Sequence, residues 1–416
     1  MDNRVSRLAL ASAIGLTVGA VQSISVSAAT GTTWWVTNQG VDSASCGTRG
    51  KPCRSISAAI EKAADGDVIE VGAGLYGDLD GDGAFTSPGE EHYSTDNDGR
   101  SCIVCIRKAI KVLSLHGADD TIISAGSGQN VDYVVGIISS GVTLGTDGGG
   151  FTVSGGARAG VHVGFISQND KIIGNTARGN TGAGFDLEVV DESAPPFPVP
   201  YSQYTFDGNT ATGNATGFNV SHDETHTIPE RVLFTGNVAI GNTNYGFGLS
   251  GIGFQLQFIG NVANNNGAGL YIGGDRYEIR NSSIMGNRGP GILINGRIGG
   301  SGLMITGNSI IGNQGAGVYV LPDAQGNTIR NNNIYGNGGV GTAFTSPVVG
   351  NTLNCGIVNT GFDLASPEAI IATNNYWGSA SGPGADPADN AGKGCDFNQG
   401  TTVVKPFATT AYGISP

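Results

Sequence analysis

The sequence predicts an all-β solenoid of stacked parallel coils that begins with a short capping helix, and three observations carry this prediction. Gly accounts for 71 of the 416 residues, while charged residues make up only 13% and aromatic residues 7%. From about residue 171 a short pattern repeats at intervals of some 20 to 35 residues. Each repeat contains short apolar clusters separated by Gly and Asn, which indicates brief strands joined by turns and not helices.

The repeat is apolar-x-Gly-Asn-x-apolar-x-Gly-Asn, followed after three or four residues by Gly-apolar-x-apolar. It is clearest over residues 171–354, as in IIGNTARGNTGAGF from residue 172. One unit of this size per coil is typical of a solenoid, in which neighbouring coils lie about 4.8 Å apart. Two columns of polar residues result, namely Asn175, Asn209, Asn237, Asn261, Ser282, Asn308 and Asn332, and Asn180, Asn214, Asn242, Asn266, Asn287, Asn313 and Asn337. We expect both columns to be structural, because stacked amides hydrogen-bond along a ladder.

Residues 1–29 have the pattern of a secretory signal peptide. Arg4 and Arg7 form a basic start, 8–21 is apolar, and small residues precede a cleavage point after Ala29. The mature chain would then be a single domain, 30–416. The expected location is secreted, periplasmic or at the cell surface, with no membrane span after signal cleavage.

The six cysteines of an exported chain predict disulfide bonds. Fifteen pairings are possible. The sequence clusters favour three local bonds, which would staple loops near the two ends of the chain: Cys46–Cys53, Cys102–Cys105 and Cys355–Cys395. A redox role for the Cys-x-x-Cys pair is the alternative at Cys102 and Cys105.

Three segments outside the repeats fit the ends of such a solenoid. Residues 55–64 predict a short amphipathic helix that would plug the N-terminal end, and 66–76 predict a strand followed by a turn. The Asn-Asn-Tyr-Trp-Gly motif at 374–378 lies in the closing segment, 355–416. Its Trp377 would cover the C-terminal edge, which a solenoid must protect.

With these segments, residues 33–407 resemble the right-handed parallel β-helix proteins of the pectate-lyase-like superfamily. The resemblance implies a right-handed single-stranded parallel β-helix with an N-terminal capping helix. This fold hosts lyases, hydrolases, esterases, epimerases and non-catalytic surface proteins. The sequence lacks the Gly-His-Gly of polygalacturonases, the Arg-x-Pro-x-x-Arg of pectate lyases and the Gln-Asp-Thr of pectinesterases. No catalytic residue therefore follows from a motif.

Strand alternation predicts which residues face solvent. In Gly-apolar-x-apolar the middle residue points outward, which gives the column His162, Asp186, Asn219, Gly248, Tyr271, Leu293 and Tyr319. The longest repeat spacings follow the coils of Asp186 and Asn219, with insertions at 189–203 and 221–231. Functional residues concentrate on such loops. The candidate catalytic residues are therefore His162, Asp186, Glu188, His222, Asp223, His226 and Arg231.

This constellation is compatible with several chemistries. A carboxylate pair can hydrolyse a glycoside, whereas a base beside a neutralised uronate can carry out β-elimination or epimerisation. His and acidic groups can also bind a metal ion, and a hydrated polar face needs no chemical role. The leading interpretation is a protein that recognises extracellular polysaccharide and modifies or cleaves it as a lyase, epimerase or glycoside hydrolase. The alternative is a non-catalytic structural or adhesion protein of the cell surface or envelope.

Asp78, Asp80 and Asp82 occupy every second position before Gly83, a pattern typical of loops that bind a hard cation. The twelfth loop position is Gly89 and not the Glu of an EF-hand, although Glu90 follows directly. We therefore expect a calcium site with Asp78, Asp80, Asp82 and Glu90 as ligands, in an acidic loop inserted at 77–100. A merely solvated acidic loop is the alternative.

The net charge of −13 argues against a nucleic-acid partner, because contacts with phosphates need a basic face. The expected partner is a polysaccharide. An acidic polymer would need a local basic patch or a bridging cation.

Overall fold

The computed structural model describes residues 31–96, 99–126, 131–164, 167–189, 203–222, 231–251, 255–338, 357–359, 370–383 and 402–416. Over these residues the strands form three sheets of 13, 10 and 11 strands, called here the first, second and third sheets. Apart from Ser94–Thr95, which runs antiparallel to Ser101–Ile106, neighbouring strands within the sheets are parallel.

The strands of each sheet follow one another in chain order. The first sheet consists of Thr33–Val36, Val68–Val71, Lys111–Ser114, Thr143–Leu144, Lys171–Ile173, Gln203–Asp207, Arg231–Thr235, Gln255–Ile259, Glu278–Arg280, Met304–Thr306, Thr328–Arg330, Ile370–Ile371 and Thr402–Val403. The second sheet consists of Gly74–Gly77, Thr121–Ser124, Thr152–Ser154, Thr176–Arg178, Thr210–Thr212, Val238–Ile240, Val262–Asn264, Ser283–Met285, Ser309–Ile311 and Asn333–Tyr335. The third sheet consists of Ser94–Thr95, Ser101–Ile106, Tyr133–Ile137, Ala159–Val163, Ala183–Val189, Thr216–His222, Tyr245–Ser250, Ala268–Gly273, Ile292–Ile294, Val318–Val320 and Ile357–Asn359.

Each complete coil contributes one strand to each sheet. In one coil the chain passes from Lys171–Ile173 through Thr176–Arg178 to Ala183–Val189, and the following coil repeats this course beginning at Gln203. Residues at equivalent repeat positions pair directly, as Phe185 does with Phe218. The predicted all-β solenoid of parallel coils is confirmed.

Apolar side chains fill the interior of the coils. On the inner side of the third sheet, the rings of Phe185, Phe218 and Phe247 stack with centroid separations of 4.8 and 4.6 Å. Phe206 and Phe234 stack opposite them at 4.9 Å and meet Phe218 edge-on. Such aromatic pairs add to the stabilisation that burial of apolar surface already gives.

Both predicted Asn columns are buried hydrogen-bond ladders. Asn237 is representative, because its backbone N–H and its Nδ2 donate to Oδ1 of Asn261 at 2.8 and 3.0 Å. Its Nδ2 also donates to the carbonyl of Phe206 in the preceding coil, at 2.8 Å. The first ladder continues beyond the prediction to Asn375, whose Oδ1 accepts from Asn332. The structural role expected of these residues is confirmed.

The residue before each member of the first ladder turns the corner between the first and second sheets with a positive φ. Gly236 has a φ of 62°, and Asn281, at the equivalent corner of a later coil, has a φ of 53°. Only Gly and, at a smaller cost than other residues, Asn adopt this left-handed conformation readily. The corner explains why the repeat contains Gly-Asn, Asn-Asn or, at Asn281, Asn-Ser at this point.

The capping helix, Ile56–Lys62, begins at Ser55, whose side chain accepts from the N–H of Ala58 at 3.2 Å. The buried carboxylate of Glu91 accepts the N–H groups of Ile56 and Ser57, each at 2.7 Å. These bonds satisfy donors that a helix N-terminus leaves free. The helix buries Ile56 and Ala59 against the N-terminal coils, as the sequence predicted.

Two of the predicted disulfides are present, Cys46–Cys53 and Cys102–Cys105. Cys355 and Cys395 lie outside the described residues. Trp377 is fully buried in the C-terminal closing segment. Within the described ranges no helix has the length and apolar character needed to cross a membrane.

Candidate functional site

The outward column of the third sheet has the predicted register. His162 pairs with Asp186, and Asp186 pairs with Asn219 on the next coil. Glu188, two residues further along the strand Ala183–Val189, pairs with Ser221. Because alternate residues of a strand point to the same side, Asp186 and Glu188 share the outward face, and their side chains are 18% and 27% exposed.

Asp186 accepts hydrogen bonds from both neighbouring coils. Its Oδ2 lies 2.8 Å from Nδ1 of His162, and its Oδ1 accepts from Nδ2 of Asn219 at 2.8 Å. Burial alone would raise the pKa of Asp186, but the hydrogen bond and charge of His162, the bond from Asn219 and the charge of Arg158 together lower it below its usual value. Asp186 is therefore an ionised carboxylate at neutral pH.

Glu188 is held by a cation from the inserted loop. Nη1 of Arg100 lies 2.5 Å from Oε2 of Glu188 and donates to the hydroxyl of Tyr133 at 3.2 Å. The hydrogen bond to Glu188 raises the pKa of Arg100 further above its ordinary value. The same Oε2 lies 3.8 Å from Nε2 of His162. Glu188 thus faces both an arginine and a histidine.

The ring of His162 is sandwiched and nearly inaccessible. Its side chain is 2% exposed, because the ring of Tyr133 stacks on it with centroids 4.0 Å apart and planes 7° from parallel. Burial and the charge of Asp186 raise the pKa of Tyr133 to about 12, so that Tyr133 stays a neutral phenol. Tyr133 in turn packs in a small cluster with the disulfide of Cys102 and Cys105.

These contacts determine the tautomer of His162. An ionised carboxylate can only accept a hydrogen bond, so Nδ1 of His162 carries the proton that Asp186 accepts. Nε2 then faces Glu188 and either offers a lone pair or, when protonated, a second N–H. Asp186, His162 and Glu188 therefore lie in a row: Asp186 accepts from Nδ1 of His162 at 2.8 Å, and Nε2 lies 3.8 Å from Oε2 of Glu188, which is a charge contact and not a hydrogen bond.

Of the other sequence-predicted catalytic residues, the structure describes the backbone of His222 and the whole of Arg231. His222 ends the strand Thr216–His222, where its backbone pairs with Val189. Asp223 and His226 lie outside the described residues. Arg231 is exposed at the start of Arg231–Thr235, which belongs to the first sheet and not to the third.

Sequence reasoning missed two members of the cluster, Arg100 and Tyr133. Both precede the clear repeats that begin at about residue 171, and Arg100 belongs to the inserted loop 77–100, whose course no repeat predicts. A partial signal existed at Tyr133, since it begins an apolar strand, Tyr133–Ile137, that pairs with Ala159–Val163. We will call the five residues with these contacts, His162, Asp186, Glu188, Arg100 and Tyr133, the polar cluster.

The predicted calcium ligands occupy a loop at the N-terminal end of the molecule. One carboxylate oxygen from each of Asp78, Asp80 and Asp82 lies within 4.8 Å of the other two, and Asp78 is 4% exposed. The donor set of hard oxygens is the type that calcium prefers. The fourth predicted ligand, Glu90, instead accepts from the backbone N–H groups of Leu79 and Ser87 at 3.1 and 2.8 Å. It therefore ties the base of the loop.

Comparisons with known proteins agree with the fold. A family model described as the right handed beta helix region matches residues 259–401. No curated protein matches the sequence significantly. Among solved structures, the GH136 lacto-N-biosidase from Eubacterium ramulus is 11% identical with a TM-score of 0.50, and the match covers 91% of this chain and 68% of that one.

Two further solved structures are similar over most of their length. Pectate lyase Pel9A is 15% identical with a TM-score of 0.46, covering 93% of this chain and 82% of that one. The A-module of the mannuronan C-5 epimerase AlgE6 from Azotobacter vinelandii is 16% identical with a TM-score of 0.44, covering 86% and 94%. The architecture is that of a right-handed parallel β-helix, and identities this low concern the fold alone.

Proposed function

We propose that this right-handed parallel β-helix protein is secreted, binds an extracellular polysaccharide along the outward face of the third sheet, and modifies it by proton transfer at Glu188. The observation that carries the proposal is the contact of Glu188 with both Arg100 and His162 at a solvent-facing position. The N-terminal segment 1–29 and the two disulfides support export, because disulfides persist in oxidising compartments. Proteins that act on glycans, such as the lacto-N-biosidase, occur with this fold.

Glu188 is the group that would touch the substrate. It is the most exposed of the three acid–base groups, at 27% against 18% for Asp186 and 2% for His162. His162 is then a positioning residue, since it can reach the substrate only through Glu188. Asp186 holds the imidazole in the tautomer that leaves Nε2 directed at Glu188, as the third member of a nucleophile–base–orienter chain does in other enzymes.

Hydrolysis of a glycosidic bond suits the spacing of the two carboxylates. Asp186 and Glu188 lie two residues apart on one strand, so their Cα atoms are about 6.6 Å apart, and the imidazole of His162 contacts one oxygen of each carboxylate. Carboxyl groups about 6.5–9.5 Å apart leave room for a water molecule and invert the anomeric centre. In this proposal Glu188, in its protonated form, gives its proton to the departing oxygen as the glycosidic bond breaks, and Asp186 accepts a proton from the water whose oxygen bonds to the anomeric carbon.

Elimination is the second reaction, and Arg158 favours it. Removal of a proton beside a uronate carboxylate needs a cation that offsets the charge. Arg158 is exposed, and its positive charge acts to lower the pKa of both Asp186 and Tyr133. A uronate held by Arg158 would present its ring to the polar cluster.

A non-catalytic role is favoured by a different observation, the mutual satisfaction of the polar cluster. Both oxygens of Asp186 already accept hydrogen bonds, and Arg100 bonds to two partners. A network of this kind can serve only to pack the inserted loop against the coils. A non-catalytic role predicts that substitutions in the polar cluster lower the stability of the protein and leave any turnover unchanged.

A polysaccharide panel with two readouts tests the proposal. Hydrolysis releases reducing ends, whereas elimination also creates an unsaturated sugar that absorbs ultraviolet light. With an active substrate in hand, Glu188→Gln is expected to reduce kcat by about 10²- to 10⁴-fold, the usual contribution of a general acid or base. His162→Gln is expected to shift the pH profile of kcat, which a purely structural residue would not do.

The matched control is Glu278→Gln, since Glu278 also pairs with an arginine, Arg280 at 3.0 Å, but on the first sheet. Its side chain is 33% exposed, close to the 27% of Glu188. We expect full activity from this control. Turnover by Glu188→Gln at the level of the control, or a cluster whose variants lose only thermal stability, would place the function in the non-catalytic class.

A further inference from the structure

The outward face of the third sheet changes character on the C-terminal side of the polar cluster. The strands Tyr245–Ser250, Ala268–Gly273, Ile292–Ile294 and Val318–Val320 contain no charged residue. The strand Ala183–Val189, by contrast, carries both acidic groups of the cluster. The register therefore arranges one continuous face with an ionic part and an uncharged part.

Aromatic side chains mark the uncharged part. Tyr271 follows Asn219 and Gly248 in the outward column, and Tyr319 lies two coils further on. Tyr245 lies one coil before Tyr271 in a neighbouring column, and the two rings are tilted by 37° with centroids 5.2 Å apart. Both side chains are partly exposed. The two partly exposed tyrosines thus form a ring pair at the surface.

Hydrogen bonding and a missing side chain complete the arrangement. The hydroxyl of Tyr271 accepts from Nδ2 of Asn295 at 2.8 Å, which fixes the orientation of the ring. Gly248 contributes no side chain to the column between Asn219 and Tyr271. A Cβ added at Gly248 would lie 3.2 Å from Oδ1 of Asn219. The column therefore has a gap one coil wide between the polar cluster and the tyrosine pair.

We propose that Tyr245 and Tyr271, with the gap at Gly248, form a binding subsite for an uncharged sugar unit of the polysaccharide. The C–H groups on one face of a pyranose carry partial positive charge and pack well on the negative face of an aromatic ring. The rim hydroxyls of the sugar can bond to the tyrosine hydroxyls and to Asn295.

The strands that carry the two tyrosines contain no cation to pair with a uronate carboxylate. Arg288 and Arg297 lie in the adjoining connecting segments, and Nη2 of Arg288 already donates to the carbonyls of Asn242 and Thr243. This position therefore favours a neutral unit.

The inference deepens the proposed function and rests on it for the orientation of the glycan. Tyr271 lies three coils from Glu188, or about 14 Å at the usual spacing of β-strands. A single sugar cannot span this distance. Only an oligosaccharide of several units reaches both the polar cluster and the tyrosine pair, so short fragments should bind weakly.

Affinity electrophoresis tests the subsite independently of turnover. The full-length mature protein is run through gels that contain uncharged glucans, mannans, xylans or galactans, and through gels that contain polygalacturonate or alginate. We expect retardation by at least one uncharged polymer, and about ten-fold weaker binding for Tyr271→Ala, which corresponds to about 1.4 kcal/mol. Tyr271→Leu, which keeps apolar bulk but lacks a ring, guards against loss of folding and should bind as weakly.

Tyr335→Ala is the matched control, because Tyr335 is a partly exposed member of another tyrosine pair. Its ring meets that of Tyr376 at 5.7 Å, but Tyr335 belongs to the second sheet. We expect this variant to bind like the wild type. Retardation by polyuronates alone, or equal binding by the Tyr271 variants and the control, would overturn the subsite.

The same panel separates this inference from the proposed function. Weak binding by Tyr271→Ala together with full turnover by Glu188→Gln would keep the subsite and refute the chemistry. Loss of turnover in Glu188→Gln together with unchanged binding by both Tyr271 variants would keep the chemistry and refute the subsite.

Discussion

Asp170 is a fully buried acid whose neighbours on the adjacent coils are mainly apolar. Strand register places it beside Val142 of the preceding coil and Tyr204 of the next, both of which are buried. Its Oδ1 accepts the N–H of Val142 at 2.8 Å, while Oδ2 is buried with no hydrogen-bond partner among the described residues. Burial raises the pKa of Asp170 to about 7, against the opposing effect of the bond from Val142.

Asp170 should make the stability of the protein depend on pH. An acid with a raised pKa in the folded state stabilises the fold fully below its unfolded pKa of about 3.9, and this contribution is lost as the pH rises through about 7. We expect Asp170→Asn to become progressively more stable than the wild type between pH 4 and pH 8, by up to about 4 kcal/mol. Urea denaturation at a series of pH values measures the difference.

A later coil shows why Asn is the appropriate replacement. Asn327, at the position equivalent to Asp170, accepts from Leu303 at 2.9 Å and donates to the carbonyl of Gly300 at 2.9 Å. The control is Asp207→Asn at an exposed position of the next coil. A stability difference for Asp170→Asn that stays constant with pH would show that this carboxyl does not titrate in the folded state.

At the residue level, the sequence predicted where side chains point better than what they touch. Alternation placed His162, Asp186 and Glu188 on one face, because a strand of period two has only two sides. Arg100 and Tyr133 could not be predicted in the same way. The contacts of Arg100 depend on how the inserted loop folds back over the third sheet, and a loop without a repeat has no register to predict. Tyr133 begins a strand of that sheet, but this strand precedes the clear repeats from which the register was read.

Among the structural elements, the Asn ladders are the most sensitive to a single substitution. Asn261 accepts two hydrogen bonds from Asn237 and donates to the carbonyl of Phe234 at 3.0 Å, all in the buried interior. Asn261→Ala would leave these groups unpaired, which costs about 1–3 kcal/mol for each buried polar group. We expect a clear loss of thermal stability, measured by circular dichroism.

The control for the ladder is Gln255→Ala, which removes an exposed amide at the start of the same coil. Its melting temperature should stay close to that of the wild type. An Asn261→Ala variant that melts with the control would refute the structural role of the ladder at this coil.

The Asp78 loop is the element for which we predict metal dependence. Its three clustered carboxylates repel one another, and a divalent cation would offset this repulsion. We expect calcium to bind with heat exchange in calorimetric titration and to raise the melting temperature of the mature protein. Both effects should disappear in the triple variant Asp78→Asn, Asp80→Asn, Asp82→Asn.

The matched control for the metal prediction is Asp119→Asn with Asp120→Asn, which removes two neighbouring exposed acids. This variant should titrate like the wild type. Equal calcium binding by the triple variant and the wild type would assign the loop to solvated acidic surface.

For the whole molecule, the fold could be predicted because the same sequence pattern recurs in successive coils. Seven pairs of Asn or Ser residues, each five residues apart, predict the length of a coil, the position of its corners and the residues that face inward. Each later coil repeats the pattern of the first. The capping helix and Trp377 were predictable for a related reason, since both ends of a solenoid expose strand edges that must be covered. The proposed reaction does not follow from the repeats, because the polar cluster occurs once among the described coils and has no second copy to compare.

Because the register is regular between Asn175 and Asn332, distances along this part of the solenoid are whole numbers of coils. The polar cluster and the tyrosine pair are separated by whole coils, so an added repeat would move them apart by one strand spacing, about 4.8 Å, and by no intermediate amount. A repeat inserted before Asn237 would continue the ladder, because Asn209 would bond to the new Asn as it now bonds to Asn237. Duplication or loss of a repeat would therefore change the distance between the polar cluster and the tyrosine pair in steps of one coil, while the contacts within each of the two groups stay the same.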